Sequence, residues 1–323
     1  MKLSEITRPF KSHLDNYEKT LKEILESDIP IIDRVSRYLI KHKGKNLRPM
    51  LVILSAGLSG VPDKKTYRVA ATVELLHTAS LVHDDVVDDS DLRRGFPSVK
   101  AIWRNKVSVL MGDYLLAKSL IAATEIGNIE VMNLLSTAAK RLSQGELLQI
   151  QNVWRQKNSE EDYYAIISNK TAALLSVCCE LGSLSVSANP EHRRALKGYG
   201  ENLGMAFQIK DDLLDYQSLR SIIGKPVGND LREKKYTLPL IYALSQAGSK
   251  EGRKIKKLMA KGPDDSEIKE IVTFAEEHGG IEYAEKRMKE FMDKAQNELD
   301  LFPDSEVKKA AGQLLDFVIS RKK

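Results

Sequence analysis

The sequence predicts an all-α protein, and three observations point there. Apolar residues recur at three-four spacing along most of the 323 residues. Aromatic residues are only 6% of the chain, so the core must rest on Leu, Ile, Val and Ala, which suit helix packing. No Asn-Gly or Asp-Gly hairpin signal stands between alternating apolar runs.

The elements follow in order. Leu47-Arg48-Pro49 reads as a helix start with Pro at the first helical position. From Tyr67 to Val87, apolar or small residues at Val69, Ala70, Val73, Leu76, Ala79, Ser80 and Val87 approximate one buried helix face. Similar patterns predict helices over 99–124, 131–154, 171–187 and 196–216. Four more are predicted over 238–246, 265–278, 280–299 and 304–319, the last capped by Asp304 or Ser305 after Pro303. The least regular stretch, 217–236 (QSLRSIIGKPVGNDLREKKY), predicts a long loop, and such loops inside compact domains are often functional. No Pro/Ser linker and no repeat of about 20–50 residues divides the chain, so a single domain over 1–323 is expected.

Composition excludes several classes. A charged fraction of 29% and a formal charge of +5 admit anionic substrates without demanding nucleic acid. No Cys/His finger spacing and no Lys/Arg block beside aromatics argues for nucleic-acid binding. The only cysteines, Cys178 and Cys179, are adjacent and cannot staple distant segments. Within AALLSVCCELG they read as small buried hydrophobes, which suits a reducing cytoplasm. The N-terminal stretch lacks the apolar core of a signal peptide. No uncharged apolar run reaches about 18 residues, so no transmembrane segment is expected.

Chemistry concentrates in two copies of Asp-Asp-x-x-Asp. The first is Asp84, Asp85 and Asp88 in HDDVVDDSD; the second is Asp211, Asp212 and Asp215 in QIKDDLLDY. Chance supplies roughly 0.1 copies in a chain of this size, so two are not accidental. Each closes an apolar helical pattern, where the negative end of the helix dipole opposes carboxylates. Residues four apart share a face, so Asp84 aligns with Asp88 and Asp211 with Asp215. Like charges ~4 Å apart repel by ~4 kcal/mol at an effective dielectric near ~20. Such clusters call for cations. Magnesium suits hard carboxylate oxygens and characteristically bridges them to phosphate oxygens.

The chain here resembles the trans-isoprenyl diphosphate synthases, the polyprenyl synthetase family. The resemblance rests on GKNLRP (44–49), ELLHTASLVHDDVVDDSDLRRG (74–95), GDYLLAKS (112–119), NKTAALL (169–175), GMAFQIKDDLLD (204–215) and GKPVGNDLREKKYTLPL (224–240). It implies an isoprenoid-synthase-type helical bundle around a central cavity, usually homodimeric, that joins isopentenyl diphosphate to an allylic diphosphate. Carried over by position, Asp84, Asp85, Asp88, Asp211, Asp212 and Asp215 would bind the allylic diphosphate through Mg2+. Arg93, Lys170, Lys225 and Lys235 would hold its phosphates directly. Lys45, Arg48, His77 and Arg94 match the isopentenyl diphosphate site. Thr171 and Gln208 would line the reacting centre with Lys170, and Gln144 is a weaker match. His83 receives no role. The residue types suit these tasks, since Arg forks bind phosphate bidentately and Lys supplies point charge.

Two departures stand out: Asn46 where the family often has Arg, and Lys234 before Lys235 where a Gly is usual. The second is expected to stiffen the phosphate-closing loop. One turn before Asp84, Ala79 and Ser80 are small where bulky aromatics would floor the cavity. The resemblance therefore implies a product longer than C15, a long-chain polyprenyl diphosphate of the kind used for quinone side chains. A geranylgeranyl diphosphate synthase is the alternative. A terpene cyclase would not need Lys45, Arg48 and His77, and a non-catalytic subunit of a heteromeric synthase usually loses one or both Asp clusters. Nothing argues for nucleic acid, and a peripheral membrane contact during product release is compatible with the sequence.

Overall fold

In the computed structural model the described residues are 3–156, 159–186, 189–217 and 228–321. Helices dominate them. The first are α1 (Leu3–Thr7), a 3-10 turn at Arg8–Phe10, α2 (Lys11–Leu25), α3 (Pro30–Lys41), α4 (Leu47–Ser59) and α5 (Lys64–Val87). A short hairpin of β1 (Leu92–Arg93) and β2 (Phe96–Pro97) precedes α6 (Val99–Glu125), α7 (Ile129–Arg155) and α8 (Glu160–Ile167). A π-helical turn, Ser168–Ala172, leads into α9 (Ala173–Ser185) and α10 (Pro190–Gln217). The rest are α11 (Asn229–Arg232), α12 (Leu238–Gln246), α13 (Ser249–Lys261), α14 (Asp265–Glu277), α15 (Gly280–Leu299) and α16 (Glu306–Ser320).

The chain divides into two compact units, one of residues 1–139, 175–200 and 299–314, the other of 140–174, 201–298 and 315–323. In the first, α5 packs against α2, α4 and α6. It buries residues all round, from Val69, Ala70 and Val73 to Ala71, Leu75 and Val82, so it reads as a core helix rather than an amphipathic one. A capping box starts it: Asp63 accepts from the amides of Lys65 and Thr66, and Thr66 Oγ1 accepts from the Asp63 amide. Cys178 and Cys179 are buried here, as their apolar context predicts. In the second unit α12 packs on α14, with Tyr216, Leu231, Leu240, Ile268, Ile271 and Phe274 in one apolar cluster.

Several expectations are refined. The predicted helices over 238–246 and 280–299 coincide with α12 and α15. The helix read over 304–319 begins at Glu306, because Ser305 Oγ accepts the Lys308 amide and so caps it. Pro49 is the third residue of α4 rather than the first, a position whose amide also lacks a partner within the helix. The helix predicted over 171–187 opens as the π-helical turn. The loop predicted over 217–236 contains α11, and residues 218–227 lie outside the described ones. The hairpin lacks Asn-Gly or Asp-Gly because Arg94 (φ 56°) and Gly95 (φ 82°) supply the two left-handed residues of the turn. Among the described residues, α6 alone is long and apolar enough to cross a membrane, at a mean hydropathy of 1.3 over its most apolar window. It carries Asp113 and Lys118 and packs one side along α5.

Candidate active site

The first acidic cluster lies at the end of α5 in the first unit. Asp85 is buried, Asp84 is half-buried, and Asp88 is the exposed C-cap. Arg93, on β1, donates to Asp85 Oδ1 from Nε at 2.8 Å and from Nη2 at 2.6 Å. Burial pushes the Asp85 carboxyl up, and Arg93 pulls against that shift. The hairpin is held to α5 by the Ser90 amide donating to the Asp85 carbonyl at 2.9 Å. Its ladder pairs Leu92 with Pro97 and Arg93 with Phe96, which places Arg93 and Arg94 just beyond the helix end.

About two and three turns back along α5, His77 and Glu74 are buried. Arg48, on α4, is half-buried, but its Nε is shielded and has no partner among the described residues; His77 Nε2 is likewise shielded and unpartnered. Burial drives His77 well below the usual histidine range, and Arg48, Arg94 and Arg93 push the same way, so the ring is neutral near pH 7. Burial raises the Glu74 carboxyl while Arg48, Arg94 and Lys43 lower it. This set joins three of the predicted isopentenyl-site residues, Arg48, His77 and Arg94, and adds Glu74. Lys45 is exposed on the segment before α4. Glu74, Thr78, Asp85, Arg93 and Arg94 line a cavity of ≈ 70 Å³ in this unit. Ala79 is buried, and Ser80, half-buried, donates to the His77 carbonyl at 2.9 Å. His83 turns toward α6, with Nε2 3.2 Å from the Val109 carbonyl.

The second cluster lies at the end of α10 in the other unit. Asp212 is 4% exposed and accepts from Tyr163 Oη at 2.6 Å and Gln208 Nε2 at 2.9 Å. Gln208 Oε1 accepts from Thr171 Oγ1 at 2.7 Å, so a relay of hydrogen bonds joins the predicted Thr171 and Gln208 to the acidic cluster. Burial, then Asp230, raise the Asp212 carboxyl well above its usual range; Tyr163 and Gln208 oppose this. Asp215 accepts the amides of Gly228, Asn229 and Asp230 at 3.2, 3.3 and 3.1 Å and so caps α11. Asp211 pairs with Arg321 at 2.8 Å.

Lys170 sits on the π-helical turn, 2.6 Å from Glu146 Oε1. Two close approaches shape that turn. A Cβ on Gly145 of α7 would lie 2.7 Å from the Lys170 amide nitrogen, and one on Gly204 of α10 would lie 2.5 Å from Ala172 Cα. Only glycine lets both helices press this close to the backbone that presents Lys170 and Thr171. Lys170, Thr171, Gln208, Asp212, Asp230 and Lys235 line a cavity of ≈ 110 Å³. Lys235 pairs with Glu233 and lies 4.0 Å from Asp230. Lys225 falls outside the described residues. Gln144 lines a separate surface groove with Leu147 and Trp154.

Sequence reasoning missed Asp230, Tyr163, Glu74 and Arg321. Asp230 was findable, since it stands inside the motif GKPVGNDLREKKYTLPL; burial raises its carboxyl to about 6, with Lys235 opposing. Tyr163 and Arg321 carry no local signal.

The donor set suits a hard divalent cation. Asp85, Asp212, Asp215 and Asp211 are engaged by protein donors, and the carboxylates of Asp88 and Asp211 remain accessible to solvent. Among the described residues no three carboxylates, histidines or cysteines converge on one point, so a metal here needs further oxygens, as from a diphosphate.

Comparison with known proteins agrees with this chemistry. The Polyprenyl synthetase family profile matches residues 29–275. An octaprenyl diphosphate synthase of Haemophilus influenzae is 33% identical over 99% of this chain and 98% of its own length. A decaprenyl diphosphate synthase from Rhodobacter capsulatus is 37% identical, covers 100% of both chains and superposes with a TM-score of 0.94. A polyprenyl synthase from Caulobacter crescentus, complexed with calcium and isoprenyl diphosphate, is 32% identical over 100% of this chain and 98% of that one, with a TM-score of 0.91. Its helical fold, its two acidic helix ends and these relatives together make the chain a member of the polyprenyl synthetase family, a trans-prenyltransferase.

Proposed function

We propose that the chain condenses isopentenyl diphosphate head-to-tail with an allylic diphosphate and makes a long-chain trans-polyprenyl diphosphate. One observation carries the substrate assignment. Arg48 Nε and His77 Nε2 are shielded from solvent without a partner, beside Arg93 and Arg94. Shielded cationic and polar donors without acceptors call for an anion. A diphosphate supplies it.

Arg48, His77, Arg94 and Lys45 hold isopentenyl diphosphate. Arg93, Lys170, Lys235 and Lys225 hold the allylic diphosphate. Asp84, Asp85 and Asp88 in one cluster and Asp211, Asp212 and Asp215 in the other would hold magnesium. When bound, Mg2+ would supply positive charge to stabilise the diphosphate as a leaving group. Lys170, Lys235 and Arg93 add fixed positive charge to the same leaving group. Thr171 and Gln208, ordered by their mutual hydrogen bond and by Asp212, fix the polar edge of the reacting centre. The double bond of isopentenyl diphosphate attacks the allylic cation, and the departing pyrophosphate takes the proton. Apolar side chains exclude water, which would quench the cation.

Ala79 and Ser80 leave room for the growing chain. The whole chain, 1–323, acts as one polyprenyl synthetase domain in the cytoplasm and as a homodimer. Exposed Val109, Leu110, Leu120 and Ile121 on one face of α6 suit such an interface.

The test is incubation of the purified chain with labelled isopentenyl diphosphate, Mg2+ and allylic primers of several lengths, followed by sizing of the products. Long-chain products that vanish on chelation are expected. Absence of product from every primer would instead identify a non-catalytic partner of a heteromeric synthase.

A further inference from the structure

The second acidic cluster carries a cation from a distant part of the chain. Arg321 directly follows α16, and its side chain is 9% exposed. Its Nη2 lies 2.8 Å from Asp211 Oδ1 and donates to the Phe207 carbonyl at 2.7 Å. The guanidinium also lies over the Phe207 ring, 3.8 Å from its centroid. Phe207 and Asp211 are four apart on α10, so all three contacts come from one helix face. Arg321 Nε is buried with no acceptor among the described residues. Among the described residues only Oδ1 of Asp211 is engaged, and the Asp211 side chain stays 43% exposed.

We propose that Arg321 is a positioning residue for the metal-dependent step. It pins Oδ1 of Asp211 and so presents Oδ2 to the divalent cation. The inference rests on the assignment of Asp211 as a metal contact. A carboxylate held by one oxygen loses the rotational freedom that an unsupported Asp would have to surrender on ligation. Arg suits the task better than Lys, because its planar group can stack on Phe207 while its Nη2 reaches both acceptors. Partners of this kind, one bond removed from the metal, typically change metal affinity by about 10–100-fold when lost. The opposite reading makes Arg321 a competitor that occupies Asp211 until metal displaces it.

The two readings differ in sign. The full chain is titrated with Mn2+ in the presence of inorganic pyrophosphate, and free Mn2+ is followed by electron paramagnetic resonance. Arg321→Met should weaken Mn2+ binding by about 10–100-fold. Arg321→Lys, which keeps the charge without the stacked fork, should fall between Met and the parent, and it decides the matter if the Met variant fails to fold. Asp211→Asn is the control. If Asp211→Asn weakens binding while the Arg321 variants bind Mn2+ as tightly as the parent or tighter, the positioning role is wrong and the Asp211 assignment stands. If Asp211→Asn leaves binding unchanged, the metal assignment fails and takes this inference with it.

Discussion

Replacing Gly204 with Ala sets two effects against each other. Ala inside a helix is favoured over Gly by ~1 kcal/mol. The new Cβ, however, would stand 2.5 Å from Ala172 Cα and 2.9 Å from Ala172 Cβ. Carbon atoms rest at about 3.5–4.0 Å, so α10 and the π-helical turn must part by roughly 1 Å. The obstacle is backbone and cannot swing away, and overpacking of this kind costs ~1–3 kcal/mol. The steric cost therefore wins, with a net loss of up to ~2 kcal/mol. At about 2 °C per kcal/mol for a chain of this size, the thermal midpoint should fall by a few degrees. Activity should fall further. Gly204, Gln208 and Asp212 are spaced four apart on α10, so the displacement pulls on the 2.7 Å Thr171–Gln208 bond and moves Lys170. Misplacing such groups by ~1 Å can cost up to ~10²-fold in rate. The control is Gly252→Ala in α13, where the Cβ meets only Leu244 Cδ2 at 3.8 Å; this variant should gain stability from helix propensity. Thermal unfolding and kcat are measured for both. If Gly204→Ala and Gly252→Ala raise the midpoint alike and leave kcat unchanged, the close-approach argument is wrong.

Ser80→Phe should shorten the product, because Ser80 is half-buried and can accept a ring; Ala79→Phe should do so at ~1–3 kcal/mol in stability, because Ala79 is buried. Product sizing checks both, and an unaltered length distribution in each would remove these positions from the cavity floor. Tyr163→Phe strips Asp212 of its 2.6 Å donor, a bond to a buried carboxylate worth ~1.5–3 kcal/mol, so denaturant midpoint and kcat should both drop. Retention of both would mean that Gln208 alone suffices. Asp230 yields a pH prediction for the metal-free protein. Its folded carboxyl titrates at about 6, above the usual 3.8, so the folded state keeps a proton that the unfolded state has lost between those values. Stability from this group is thus highest below pH ~4 and declines as pH rises to ~6, by ~3 kcal/mol in total. Asp230→Asn should flatten that part of the decline, and melting curves from pH 4 to 7 with identical slopes for variant and parent would refute it.

The acidic motifs were legible because each ends an apolar helical run, and the helix boundaries at Leu238–Gln246 and Gly280–Leu299 because Pro239 and the left-handed Gly279 (φ 69°) punctuate them. The division of labour inside each motif was not. Asp84, Asp85 and Asp88 look alike in sequence, yet only Asp85 is buried, and a hairpin built on Arg94-Gly95 delivers Arg93 to it. In the second motif the donor to Asp212 stands 49 residues away and the cation held by Phe207 stands 114 residues away. Neither distance leaves a periodic trace. The π-helical turn was hidden for a related reason. Its shape is set by glycines on two neighbouring helices, and local periodicity reports only the helix in which it is read. Lys234 marks the intermediate case. It stands at φ 61°, the conformation that glycine adopts without strain and where the family resemblance implies Gly. The departure was visible in the sequence as a change of residue, and its backbone geometry follows from the turn after α11, where the Lys235 amide donates to the Asp230 carbonyl at 2.8 Å. A loop that keeps this turn despite a lysine is held by its hydrogen bonds, chiefly the Asp215 cap, more than by residue preference. Its rigidity therefore depends on the same acidic cluster that it helps to enclose.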